Sequence, residues 1–366
     1  MKCNGKNERI KRAYLRYLKE EKRQSTSSVD AVAAALERFE VYTKRRDFAA
    51  FHIEQAIGFK DHLAAQLSGR SGKPLSKATQ LHTLAALRGF VLWLAGQPGY
   101  RRRIRYSDAD YFSLSLKDAS IAKAERDIEG PTIEQVRHVV ETMPAGTDIE
   151  KRNRALIAFA LLTGARDDAL ASLQLKHVDM ARRELVQDAR DVRTKASKTI
   201  VTAFFPVGED LHEIVAAWIA FLIHERQWGL GDPLFPATRI AVGASRRFEP
   251  AGLDRKGWST AAPIRAIFRD AFAAAGLPYF NPHSFRKTLA RLGEQVCRTP
   301  EEFKAWSQNL GHEKVLTTFT SYGQVARERQ HDIIRSLAGS RTPSTAPTLQ
   351  DLLRQALDVV GARPAS

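Results

Sequence analysis

Four short clusters carry side chains whose type and spacing can do chemistry. Thr163-Gly164-Ala165-Arg166 sets an arginine where one helix gives way to another, just before Asp167. A guanidinium held there can grip a phosphate through two parallel hydrogen bonds, although an isolated Gly-x-Arg is more often a surface arginine paired with a carboxylate. Arg193-Thr194-Lys195-Ala196-Ser197-Lys198 puts two lysines on a polar turn. Such a lysine can neutralise phosphate or donate a proton; most turn lysines are simply solvated. His283-Ser284-Phe285-Arg286 places an imidazole and a guanidinium at i and i+3 on the first turns of a helix, where both address one oxygen cluster and the helix N-terminus favours an anion. A metal reading is poor, because no second histidine or carboxylate stands at ligand spacing and arginine is not a ligand. Leu310-Gly311-His312 is followed by Thr317-Thr318-Phe319-Thr320-Ser321-Tyr322-Gly323, a tyrosine among small hydroxyl residues whose phenol can act as a nucleophile.

The rest of the chain narrows what these clusters serve. Among 366 residues, 57 Lys and Arg stand against 41 Asp and Glu, a formal charge of +16. That excess makes a polyanion the expected partner, with nucleic acid ahead of a membrane surface. The two cysteines, Cys3 and Cys297, are far apart, which excludes a disulfide framework or a Cys-rich zinc site and fits a reducing compartment. The longest apolar runs, 155–162 and 215–223, are less than half a membrane span. Residues 1–25 hold nine basic and three acidic side chains and no apolar segment of the secretory kind.

The elements expected to position the clusters can be read from periodicity. Residues 1–25 form a basic arm, either a short helix or a tail. Residues 26–106 read as a small helical domain: Val32, Leu36 and Phe39, then Phe59, Leu63 and Leu67, then Leu81, Leu84, Leu87, Val91 and Leu94 recur at helical spacing. Arg101, Arg102, Arg103 and Arg105 follow directly as candidate phosphate contacts. The polar stretch 107–130 reads as a linker. Beyond it Thr132 and Gln135 stand at capping-box spacing, a helix over about 151–162 ends at Gly164, and Ile200 to Phe205 is β-prone after the polar turn, which predicts a hairpin with Lys195 and Lys198 near its tip. Helices follow over 209–226 and 262–275 around a long loop at 227–260. Asn281-Pro282 and Thr299-Pro300 each read as a helix start, and a last helix runs over 325–337 before a tail from 341 to 366 with an amphipathic piece at 349–359.

The order arginine, hairpin lysine, His-x-x-Arg, Gly-His, tyrosine resembles the tyrosine recombinase, or phage-type integrase, family over residues 131–338. The resemblance implies a mainly α chain: a helical core-binding domain at 26–106, and a catalytic domain at 131–340 that carries a small antiparallel β-hairpin or sheet. It implies catalytic roles for Arg166, Lys195, His283, Arg286, His312 and Tyr322, with Lys198 the alternative lysine and a DNA contact. It further implies a site-specific recombinase that joins DNA through a 3′-phosphotyrosyl enzyme without metal, cofactor or ATP. Its partners would be double-stranded DNA bearing recombination sites, a homotetramer on that DNA, and a DNA-bending accessory protein, in the cytoplasm at the nucleoid. A mobile genetic element is the implied setting. A type IB topoisomerase or a DNA-binding protein with a decayed active site are the rival readings. Three departures from the pattern stand out: Tyr322 follows His312 by ten residues where nine is usual, Ala169 occupies a position commonly acidic so that Asp167 or Asp168 would orient the arginine, and the span from Arg166 to Lys195 is long.

Overall fold

The computed structural model describes residues 4–69, 72–124, 130–194, 198–243 and 246–311. The chain divides into two compact units, Met1–Glu125 and Arg126–Ser366. The expected helix at 325–337 and the tail piece at 349–359 lie outside the described residues.

The first unit is helical. Its helices are α1 (Gly5–Glu20), α2 (Thr26–Tyr42), α3 (Ile53–Ala65), α4 (Lys77–Ala95) and α5 (Leu116–Lys123). Asn4 caps α1 by accepting from the amides of Lys6 and Asn7, which satisfies donors that a helix start otherwise leaves open. The basic arm is therefore a helix, and Tyr14 and Leu18 on it are buried with Leu36, Phe39, Phe59, Leu87 and Phe90. The stretch read as a linker also carries structure. A 3₁₀ segment at Tyr106–Tyr111 and then α5 occupy much of it, and Ala109 and Phe112 enter the first unit's core. Leu116 and Ile121 in this stretch stay exposed, so its apolar spacing does not mark a buried face; Ala109 and Phe112 nevertheless pin it.

The second unit is built around one central helix. In order it contains α6 (Ile133–Thr142), α7 (Asp148–Thr163), the single turn α8 (Asp167–Leu170), β1 (Val178–Asp179), β2 (Glu184–Gln187), β3 (Ile200–Ala203) and α9 (Glu209–Ala220). After these come β4 (Thr238–Val242), β5 (Phe248–Leu253), α10 (Ala262–Ala274), α11 (Ser284–Val296) and α12 (Pro300–Asn309). Ten of the sixteen residues of α7 are buried, the pattern of a helix enclosed on all sides, and α6, α9 and α11 pack against it. The capping boxes at Thr132/Gln135 and Thr299/Glu302 form as expected.

Strands β1, β2 and β3 make an antiparallel sheet in that order, with Leu185 opposite Thr202 and Gln187 opposite Ile200. The predicted hairpin is thus present, but its connection spans 188–199 instead of a tight turn. The long loop expected at 227–260 contains a second antiparallel pair, β4 with β5. Ile240, Val242 and Phe248 on that pair are exposed and β5 includes Pro250 and Gly252, so neither alternating burial nor strand propensity announces it. Helix α11 begins at Ser284, two residues after Pro282. Asn281 instead accepts from the Ser284 amide at 3.0 Å and closes the turn that leads into the helix.

Candidate active site

Gly164 ends α7 in the left-handed conformation, φ 59°, and the space beside it is closed. A Cβ there would stand 2.9 Å from Leu289 Cδ1 and 3.3 Å from Leu310 Cδ2, so glycine lets α11 and the end of α12 approach this junction. Two residues on, Arg166 occupies the N-cap of α8 and is half-buried. Asp167, one of the two carboxylates considered for orienting it, pairs with Arg265 of α10 at 2.6 Å; Asp168 is exposed.

Arg286 is the pivot of the region. It lies on the first turn of α11, only 4% exposed, and its Nη1 donates to the Gly164 carbonyl at 2.7 Å while its Nη2 donates to the Leu310 carbonyl. One guanidinium thereby ties the Gly-x-Arg junction, the His-x-x-Arg turn and the Leu-Gly-His stretch together. A guanidinium carries five N–H donors in a rigid fork, so two backbone anchors fix its plane without exhausting it.

His283 is the N-cap of α11 and keeps an exposed face. Its pKa lies below the ordinary imidazole value, first because surrounding protein desolvates the ring, then because the Arg286 and Arg166 charges oppose a third positive charge nearby. Asp167 pulls the other way and Lys287 adds to the depression. The same electrostatics place His283, Arg286 and Arg166 in one neighbourhood, with the imidazole neutral at pH 7.

The sheet arrives from the other side. Asn309, at the end of α12, clasps β3: the Ala203 amide donates to its Oδ1 at 2.7 Å, its Nδ2 donates to the Ala203 carbonyl at 2.8 Å, and Thr202 Oγ1 donates to the Asn309 carbonyl at 3.1 Å. Gly311, φ 70°, then passes so near Ile200 that a Cβ would sit 3.2 Å from its side chain. The strand leaving the lysine loop therefore runs beside the residue preceding His312. Lys198 is exposed on that loop. Lys195, His312 and Tyr322 lie outside the described residues.

In the first unit, Arg101, Arg102, Arg103 and Arg105 are all exposed, and buried Ile104 between them anchors the turn that displays them. Among the described residues no group of three or more His, Cys, Asp or Glu is placed to hold a metal ion, and no helix is long and apolar enough to cross a membrane. A cavity of about 590 Å³ opens between α6, α7 and α9, floored by Val140, Leu211, Ile214 and Trp218; none of the motif residues lines it. The partners that matter most here, Asn309 for β3 and Arg265 for Asp167, were not singled out from the sequence. Each acts across roughly a hundred residues of chain, and no local pattern announces such a contact.

Comparison with known proteins decides what this arrangement belongs to. The phage integrase family matches residues 131–329, more than half of the chain. The chain belongs to the phage integrase family. Tyrosine recombinase XerC of Pseudomonas putida F1 is 25% identical over 309 residues, covering 84% of this chain and 88% of that protein. The XerC of P. putida W619 is 25% identical over 315 residues, covering 85% and 90%. Among solved structures, a lambda integrase dimer bound to a COC′ core site superposes with a TM-score of 0.55 at 14% identity, covering 87% of this chain and 96% of that one. The Tn1549 transposon integrase in complex with transposon right end DNA gives 0.54 at 14%, covering 90% and 99%. These likenesses establish the integrase fold, mostly helical with small antiparallel sheets, for the phage-integrase chain described here.

Proposed function

We propose that this integrase-family chain is a site-specific DNA recombinase that cuts and rejoins duplex DNA through a covalent 3′-phosphotyrosyl intermediate, with Tyr322 as nucleophile. The observation that carries the reading is the buried Arg286 guanidinium bonded to the Gly164 and Leu310 carbonyls, since it draws three separated motif stretches around one positive centre. A phosphodiester resists attack because of its own negative charge, and the phosphorane transition state concentrates more charge on the non-bridging oxygens. Arg166 and Arg286 clamp those oxygens and His312 adds a donor; preorganised donors of this kind are worth about 3–4 kcal/mol each when removed.

The phenol oxygen of Tyr322 attacks phosphorus in line, and its proton passes to neutral His283. As the P–O5′ bond breaks, the leaving 5′ oxygen takes a proton from Lys195, with Lys198 the alternative donor. The products are a 3′-phosphotyrosine and a free 5′ hydroxyl. A 5′ hydroxyl from another strand attacks that phosphotyrosine and gives its proton to the lysine left neutral by cleavage, the phenol leaves with the proton held by His283, and the backbone is resealed. The tyrosyl ester conserves the energy of the broken bond, so resealing needs no ATP. Four such protomers on two recombination sites, with an accessory protein that bends the DNA, are the assembly strand exchange requires, and the nucleoid-bound DNA of a mobile element is the setting this reading favours.

The test is a suicide duplex whose nicked 5′ fragment diffuses away after cleavage. Wild-type protein accumulates a covalent adduct that maps to Tyr322, and Tyr322→Phe accumulates none. An adduct on any other residue, or none on the element's own ends, overturns the proposal. Relaxation of plasmid lacking such a site would point to the type IB topoisomerase reading.

A further inference from the structure

A general acid must sit within hydrogen-bond reach of the oxygen it protonates. The proposed acid rides on a connection of twelve residues, 188–199, far longer than the two to five usual in a hairpin. Something has to hold that loop.

The described parts of the loop show what does. Its base is closed by the Ala189 amide donating to Thr199 Oγ1 at 3.2 Å, and Val192 is buried. Arg193 then makes two tethers in different directions. Its backbone amide donates to Ser172 Oγ at 2.9 Å, and Ser172, just past α8, bonds back to the Asp168 and Ala169 carbonyls at 3.1 Å. Its Nη2 donates to the Trp258 carbonyl at 2.9 Å.

The second mooring point is itself fixed. A Cβ on Gly257 would lie 3.0 Å from the Ala171 carbonyl, so this segment rests directly on the end of α8. The Trp258 ring is buried with the Arg152 guanidinium 4.9 Å from its centre. Arg152 of α7 is 2% exposed, with no carboxylate partner among the described residues, and donates instead to the Pro236 carbonyl at 2.8 Å and Thr238 Oγ1 at 3.0 Å. Burial draws its pKa down to about 10. Asn153 Oδ1 accepts from the Arg152 Nε and Nη2 at 3.1 and 2.7 Å, so neutral acceptors and the Trp258 ring meet this buried charge and hold the segment beneath the contact.

We propose that Arg193 is a positioning residue for the reaction: by binding the Trp258 carbonyl and Ser172 it fixes the lysine-bearing loop to the same turn, α8, that carries Arg166, and so sets proton donor and phosphate clamp in register. The inference rests on the reading of a loop lysine as the acid. Arg193 touches no reacting atom in this scheme; it acts through the loop.

The test compares two duplexes, one with the ordinary bridging 5′ oxygen at the scissile phosphate and one with sulfur there. A thiol is far more acidic than the corresponding alcohol, so a thiolate departs without a proton and the sulfur substrate does not need the acid. Arg193→Met is expected to slow cleavage of the oxygen substrate about 100-fold, the lower end of what a general acid contributes. It should cleave the sulfur substrate within about threefold of wild type, at unchanged DNA affinity. Arg193→Lys restores part of the oxygen rate, and Ser172→Ala gives a smaller defect of the same selective kind. Equal slowing on both substrates, or weakened DNA binding in place of slowed chemistry, overturns the proposal. Lys195→Ala and Lys198→Ala separate the two readings. If neither lysine variant is rescued by sulfur, the lysine reading fails; if one is rescued and Arg193→Met is not, only the positioning role fails.

Discussion

At the scale of single residues the decisive feature is that two backbone carbonyls, those of Gly164 and Leu310, hold the Arg286 guanidinium. Two backbone dipoles orient the guanidinium without cancelling its charge. Arg286→Lys keeps the charge and loses the fork. One of the two buried carbonyls then has no donor, which costs about 1–3 kcal/mol. The expected result is a lower melting temperature and cleavage slowed by about 100-fold or more, read from single-turnover rates on the suicide duplex. If charge alone mattered, the lysine variant would cleave normally. His283 gives a second expectation. Its pKa is depressed by burial and by Arg286 and Arg166, so the neutral form that accepts the phenol proton persists below pH 6.5 and is lost only as pH falls through the depressed value. The acid limb of the pH–rate profile therefore lies below 6.5, and His283→Gln should abolish that limb; a limb at or above 6.5 would contradict the assignment.

At the scale of elements, the sheet and α12 are joined by very little. Asn309 exchanges two hydrogen bonds with the Ala203 backbone and accepts a third through its own carbonyl. Asn309→Ala removes the two side-chain bonds at a net cost of about 1–3 kcal/mol, and loosens the segment leading to His312, which keeps the Thr202 bond to the residue-309 carbonyl and the approach of Gly311 to Ile200. The larger effect should fall on cleavage rate and not on DNA affinity, which parallel rate and equilibrium-binding measurements would separate. The helices on either side of this clasp were legible in advance, because Thr132 with Gln135, Thr299 with Glu302, and Gly164 are local signals that act within a turn of themselves. Motif order was legible for the same reason: side-chain types persist in sequence even where their meeting does not. The β4–β5 pair was not, since Phe248 and Val242 face solvent and Pro250 stands in the strand, leaving no burial pattern to read. The meeting of Arg286 with Gly164 and Leu310 was equally hidden, because a carbonyl acceptor has no residue signature.

At the scale of the whole molecule, each unit has its own apolar core, and in the first the basic N-terminal stretch is structural as well as charged. Glu40 is fully buried, receives Asn7 Nδ2 at 2.8 Å, and pairs with Lys11, both on α1. Lys11→Met leaves that carboxylate short of its closest cation, with Arg45 at 3.8 Å as the remaining neighbour. A loss of about 3 kcal/mol is expected from breaking such a buried pair, visible as a shift of the urea midpoint, and Glu40→Gln in the same chain should recover part of it. The arginines at 101–105 belong to a different account. They are exposed, four within five residues, on a chain carrying +16 overall. If they meet phosphates, each contact releases condensed counterions, and the slope of log K against log salt becomes shallower by about 0.9 for every arginine removed. Replacing all four by serine should therefore weaken binding to specific and unrelated duplexes alike, flatten the salt dependence by as much as about 3.6, and leave the cleavage rate of saturated complexes unchanged. A variant with an unaltered slope would mean that this turn faces away from the DNA and that the electrostatic grip comes from elsewhere on the surface.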